Sequence, residues 1–322
     1  MDSQEKIKQE ARKHGFDLCR ITPAKIPDAD IENIKNWIAE NYHGDMKWYE
    51  RNLDLKFDFK NLGFEVNSVI VLATLYQDPE YAAVFENHSF KFSKYAVGED
   101  YHSVLRKKSL PFIKFLESKF PNNKFRFGVD SLPVPEKILA RESGIGWQGK
   151  NTNIIHPELG SFFFLSVILT NAHFFYDAPI PDRCGTCTAC IDACPTGALF
   201  EEYKIDASKC ISYYTIEDKR AKFSKDVKLE NWIYGCDICQ DVCPWNSKVA
   251  KKKGVYTKEV AFHIRDIFKT KSSEAILSMS ETEFAEFKKN SASDRISYEM
   301  FSRNSNQQQK LYDESVAKLS QK

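Results

Sequence analysis

Apolar positions recur along the first half of the chain with two different periods, and their alternation predicts a layered fold of helices and strands. Ile7, Ala11 and His14 share one face of a helix that Gly15 ends. Asp17–Ile21 reads as a strand, and Ile31, Ile34, Trp37 and Ile38 mark a second helix that stops near Gly44. Residues Asn67–Tyr76 (NSVIVLATLY) are β-branched and continuously apolar, as in a strand buried on both faces. Tyr101–Phe120 has helical spacing, with a kink expected at Pro111. Lys124–Val129 and Ser161–Thr170 complete the set of strands. Asp177–Asp182 (DAPIPD) reads as a stiff linker, and a polar, mostly helical tail follows Pro244. The expected fold is therefore α/β (α+β) over residues 1–176, a cysteine-rich domain over 177–250 and a helical tail over 251–322.

Composition narrows the class. The chain has 322 residues, 42% of them hydrophobic, enough for two domains of roughly 150 residues each. A net charge of +1 excludes a globally basic nucleic-acid coat, though not a local basic face. The longest apolar stretch, Phe162–Leu169, is broken by Ser166 and falls far short of the roughly 20 residues of a spanning helix. The N-terminal stretch MDSQEKIKQEARKHGF carries no signal-peptide core and no twin-arginine pair. A soluble, cytoplasmic protein without membrane contact is expected, and in a reducing cytosol its nine cysteines point to metal or redox chemistry rather than disulfides.

Eight of the nine cysteines lie between Cys184 and Cys243. Cys184, Cys187, Cys190 and Cys194-Pro195 form a full C-x2-C-x2-C-x3-C-P run, the spacing that wraps three thiolates around a [4Fe–4S] cube and sends the fourth elsewhere. Zinc would more naturally use two separated knuckles. Cys236, Cys239 and Cys243-Pro244 repeat the ending with one ligand missing, which Cys210 can supply. In two-cluster ferredoxins the cysteine before proline serves the other cube. By that rule one cluster takes Cys184, Cys187, Cys190 and Cys243, and the other takes Cys194, Cys210, Cys236 and Cys239. Two adjacent cubes suit one-electron transfer in a ferredoxin-like domain, and purely structural clusters are the bland alternative. Cys19, in the apolar segment Phe16–Ile21, reads as a small buried hydrophobe.

The segments Val129–Glu136 (VDSLPVPE) and Ala140–Asn151 (ARESGIGWQGKN) narrow the reading further. They resemble the hallmark region of epoxyqueuosine reductases, the cobalamin-dependent iron–sulfur enzymes that complete queuosine in tRNA. Tyr95–His102 (YAVGEDYH), Pro157–Ser161, Cys210–Ser212, Tyr234–Asp237 and the tail piece Arg295–Glu299 leading to Arg303-Asn304 resemble the family as well. Leu132 departs from the pattern, standing where the family has a small residue. Many members also carry a C-terminal helical repeat extension that has no counterpart in this chain.

The resemblance implies that residues 1–176 bind cobalamin and substrate. It also implies two [4Fe-4S] clusters that reduce the cobalamin, and removal of an epoxide oxygen with two electrons and two protons. Asp130 is similar to the family's proton donor, a role that requires a raised pKa; the residues alone fit a helix cap equally well. Lys56, Ser93 and Ser212 match positions near the corrin, as does Asp130. Asp100-Tyr101-His102-Ser103-Val104-Leu105 nearly reproduces the D-x-H-x-x-G signature, but Leu105 replaces its glycine, so His102 is read as a pocket or helix-start residue rather than a cobalt ligand. The Gly144–Lys150 loop lacks the P-loop pattern and reads as a turn beside the pocket.

The implied partners are a tRNA with a GUN anticodon and a low-potential donor such as flavodoxin or ferredoxin, with the protein a monomer. From Lys204 to Thr270 there are 14 Lys/Arg against nine Asp/Glu, so Lys219-Arg220 and Lys251-Lys252-Lys253 could meet phosphates; charge alone fits a solvated face equally well. Two other readings stay open. A corrinoid reductase of a small molecule, such as a reductive dehalogenase, usually brings an export signal. A ferredoxin-like electron carrier would have no use for so large an aromatic front domain.

Overall fold

The computed structural model describes residues 3–51, 53–59, 62–223 and 227–307. Eight strands are present among them: β1 (Leu18–Pro23), β2 (Ser68–Leu75), β3 (Lys91–Phe92), β4 (Phe125–Gly128), β5 (Trp147–Gln148), β6 (Ile154–Ile155), β7 (Phe163–Thr170) and β8 (Trp232–Tyr234). The main sheet has the order β1-β2-β7-β4, every neighbouring pair antiparallel. Each residue of β2 is buried. Its alternate side chains enter two separate cores, which is why the run is continuously apolar without being parallel. Ile70 and Leu72 pack with Ile7, Ala11, Leu105, Phe112 and Leu116 of the helices Ser3–Lys13 and Tyr101–Lys119. Val69, Val71 and Ala73 pack on the opposite face with Ile138 and Leu139 of the helix Glu136–Glu142. The fold is thus mixed α/β, with strand ends within two residues of those expected. The helix Tyr101–Lys119 is continuous across Pro111.

A third apolar cluster reaches across the sequence. Phe85, Phe90 and Phe92 meet Tyr234 together with Phe268, Phe284, Phe287 and Phe301 of the later chain. β3 pairs in parallel with β8, so the segment before the cysteine arms and the one between them are hydrogen-bonded directly. The Asp177–Asp182 segment is latched rather than free: the Asp177 carboxylate accepts from Lys8 Nζ at 2.5 Å and from the Ile21 N–H at 2.8 Å. Cys19 is buried, and burial pushes its thiol up to about 12. Among the described residues no helix is long and apolar enough to cross a membrane.

Candidate functional site

A cavity of about 2380 Å³ opens between the sheet's edge loops and the cysteine arms. Drug-sized ligand pockets span roughly 300–1,000 Å³, so this one has room for a large ligand with part of a second. Its walls combine aromatic rings (Trp37, Trp48, Tyr49, Tyr101, Tyr213) with Lys56, Asp130, Glu136, Lys137, Cys210 and Ser212.

Asp130 follows the end of β4 and takes a left-handed backbone, φ +48°, a region Asp tolerates better than most residues. It caps no helix, because Pro135 precedes Glu136–Glu142 without a side-chain cap. Instead its Oδ2 accepts from the Tyr101 hydroxyl, its N–H donates to Glu136 Oε1 at 2.9 Å, and His102 Nε2 stands 4.0 Å away. Tyr101 is itself fixed by stacking on Phe164 at 4.3 Å and on His102 at 4.0 Å. Desolvation and the adjoining Asp130 carboxyl hold the Tyr101 hydroxyl far above its usual range, so it remains a donor. Desolvation in the concave wall, together with Asp130, also holds the Glu136 carboxyl well up. His102 pairs through Nδ1 with Asp100 Oδ1 at 2.8 Å at the helix start.

Lys56 lies over the Tyr49 ring at 3.4 Å and donates to the Tyr49 carbonyl at 3.0 Å; burial lowers its ammonium to about 8. Ser212 lines the cavity beside Cys210. Ser93 is placed differently. It is buried, its hydroxyl donates to Asp237 Oδ1 at 2.5 Å, and it does not line the cavity. Of the four residues matched to corrin positions, the fold brings Lys56, Asp130 and Ser212 to one cavity and gives Ser93 to the second cysteine arm.

The eight clustered cysteines are free thiols in the chain. Besides desolvation, Cys190 is raised by Cys184 and Cys243, and Cys243 by Cys187. Cys210 is raised by Cys194, and Cys236 and Cys239 by Cys210. Cys239 is raised also by Cys190 and Cys194, so sulfurs of both arms crowd into one region. A soft thiolate donor set of that composition suits iron–sulfur cubes.

Trp147 and Lys150 of the Gly144–Lys150 loop, read from the sequence only as a turn, and the adjoining Asn151 reach both arms. Trp147 Nε1 donates to Cys184 Sγ at 3.4 Å. Lys150 Nζ donates to the Gly185 carbonyl at 2.6 Å, and Asn151 Nδ2 to the Cys239 carbonyl at 3.1 Å. The departure at Leu132 also has a structural place: its side chain fills the space over Gly128, where an added Cβ would lie 2.4 Å away. Of the basic residues singled out, Lys219 lines the cavity while Arg220 is bound to buried Asp218. The side chains of Lys251, Lys252 and Lys253 lie outside the described residues.

Residues 183–246, which hold all eight cysteines, match the 4Fe-4S double cluster binding domain. Residues 56–131, from Lys56 to just past Asp130, match the family described as epoxyqueuosine reductase QueG, DUF1730. The curated epoxyqueuosine reductase of Leadbetterella byssophila is 42% identical over 247 residues, covering 76% of this chain and 80% of that protein. This chain belongs to the epoxyqueuosine reductase family. The enzyme of that name from Prochlorococcus marinus is 33% identical over 94% of this chain and 96% of its own length. Among solved structures, an epoxyqueuosine reductase with an epoxyqueuosine-modified tRNA-Tyr stem loop superposes with TM-score 0.82 at 28% identity, covering 94% of this chain and 80% of that one. The Bacillus subtilis epoxyqueuosine reductase, with TM-score 0.81, 28% identity and the same coverages, has its aspartate-bearing catalytic loop swung out of the active site. As in any member of an epoxyqueuosine reductase family, the chemistry is oxidoreduction, and here residues 183–246 supply the iron–sulfur part.

Proposed function

We propose that this chain reduces epoxyqueuosine to queuosine at the wobble position of a tRNA with a GUN anticodon, the last step of queuosine biosynthesis. The observation that carries the reading is Asp130. It stands on the wall of a cavity large enough for a cofactor and an extruded nucleotide, held by Tyr101 and Glu136, with Cys210 on the same cavity. Cobalamin is the cofactor the family implies. The cavity's volume and mixed aromatic and polar lining fit it, with Lys56 and Ser212 as its contacts, and when bound it supplies the low-potential electrons that acid–base side chains cannot.

The chain's own residues do the rest. Asp130 protonates the departing epoxide oxygen, and the Tyr101 hydroxyl holds the carboxyl in place for that transfer. Electrons enter at the quartet that includes exposed Cys187 and leave through the quartet that includes cavity-lining Cys210. A low-potential flavodoxin or ferredoxin is the donor. Lys219 on the cavity wall meets tRNA phosphates, joined by Lys204 and Arg295 as phosphate displaces their partners Glu201 and Glu217, and exposed Trp48 and Phe200 offer faces for unstacked bases. In this division of labour residues 1–176 bind cofactor and substrate, 177–250 conduct electrons and the described part of the 251–322 tail, to Gln307, braces the other two. The protein works as a monomer.

Asp130→Asn tests the reading. The variant is expected to keep its iron and its corrinoid while turnover falls about 100-fold or more, measured as queuosine formed on an epoxyqueuosine stem loop. Turnover close to wild type would remove Asp130 from the mechanism.

A further inference from the structure

Converting an epoxide to an alkene and water takes two electrons and two protons, both protons ending on the same oxygen. Asp130 holds one proton at a time, and a second carboxyl is built against it. Glu136 lies on the same cavity wall and accepts the Asp130 N–H through Oε1 at 2.9 Å, which sets its carboxyl beside that of Asp130. Two carboxylates side by side repel, so such a pair favours keeping one proton between them. Desolvation and the neighbouring Asp130 carboxyl favour the protonated form of Glu136 and outweigh the Asp130 N–H bond, which favours the charged form.

We propose that Glu136 stores the second proton of the reaction and passes it to Asp130 once Asp130 has given up its own. The inference rests on Asp130 being the acid. In the first half Asp130 protonates the epoxide oxygen as its C–O bond breaks, leaving a hydroxyl. Glu136 then reprotonates Asp130, which delivers the second proton to that hydroxyl as the remaining C–O bond breaks and water leaves. The two electrons arrive through the clusters, and Glu136 regains its proton from solvent after release. Glu136 acts through Asp130 and is a positioning and relay residue.

Other groups facing the pair are in keeping with that role. Tyr101 and His102 face it from the helix Tyr101–Lys119, Tyr101 donating and His102 occupied with Asp100. Tyr234 of β8 stands near Tyr101. Lys137, on Glu136's own helix, donates to Asn153 Oδ1 at 3.0 Å; desolvation lowers its ammonium, while Cys239, Asp130 and Cys210 nearby oppose that shift.

Glu136→Gln separates relay from latch, because the amide oxygen still accepts the Asp130 N–H but the side chain cannot pass a proton on. Two readouts are taken on cluster-loaded protein: the infrared C=O stretch of protonated carboxyls at pH 7, and the pH profile of stem-loop reduction. We expect E136Q to lose one protonated-carboxyl band, to turn over about tenfold or more slowly, and to begin its fall in rate at lower pH than wild type. An unchanged band, or an unchanged rate and profile, would overturn the relay. Should E136Q not fold, D130N serves: the Glu136 band must shift when its partner changes, and an unmoved band would equally overturn the proposal. Wild-type turnover in D130N would instead sink the assignment of Asp130, a result distinct from either outcome in E136Q.

Discussion

Two single side chains, Trp147 beside a cluster cysteine and Lys56 on the cavity wall, make contacts with measurable consequences. The Trp147 indole N–H donates to Cys184 Sγ at 3.4 Å, and hydrogen bonds to cluster sulfurs set reduction potential by stabilising the more negative reduced state. Trp147→Phe keeps the buried ring and removes the donor, so the potential of the cluster that includes Cys184 should become more negative at unchanged iron content. An EPR-monitored redox titration reads both. Lys56 has its ammonium lowered to about 8 by burial. Its charge is therefore present below that pH and lost above it, and retention of an anionic cofactor group should weaken as pH rises through about 8 in wild type but not in Lys56→Gln. The sign for stability is the reverse. A lysine whose folded pKa lies below its unfolded one adds stability as pH rises from about 8 towards the ordinary lysine value.

At the scale of elements, the Gly144–Asn151 segment holds the cysteine arms against the main sheet. Gly144 has φ +75°, and a Cβ there would meet the Ala178 carbonyl oxygen at 2.2 Å, backbone that Asp177 latches to β1. Gly144→Ala combines a left-handed backbone with a clash that no side chain can relieve. It should destabilise the protein by about 2 kcal/mol, seen as a lower midpoint in denaturant with iron incorporation impaired. Here the sequence was legible only in part. The glycines showed a turn, but Trp147 touches a residue 37 positions away and Asn151 one 88 positions away, and nothing local encodes such pairs. The strands were legible because burial on both faces of β2 leaves a continuous apolar run. Their antiparallel order was not, because that run looks the same whichever way its neighbours point.

For the whole molecule, Cys187 is exposed and Cys210 lines the cavity, so the proposed quartets would carry electrons from the surface to the cavity. Cys187→Ser and Cys210→Ser should each lower the iron content of anaerobically purified protein from about eight to about four per chain. Low-temperature EPR should then show a single cube in each variant, and both should fail to reduce the cofactor. Iron unchanged in either variant would break the assignment of the quartets.

What the chain alone determined is chemistry carried by short spacing. Seven thiols at ferredoxin-like intervals, with Cys210 as the eighth, specify two cubes because most of a cube's ligands recur with two or three residues between them, and the Val129–Asn151 motifs specify the family. Tertiary structure decided which of the candidate residues meet. It gathered Lys56, Asp130 and Ser212 on one cavity, committed Ser93 to Asp237, and set Glu136 against Asp130 through a left-handed turn. Those outcomes depend on how helices and loops cross the ends of the sheet, and side chains many residues apart become neighbours only when the chain packs.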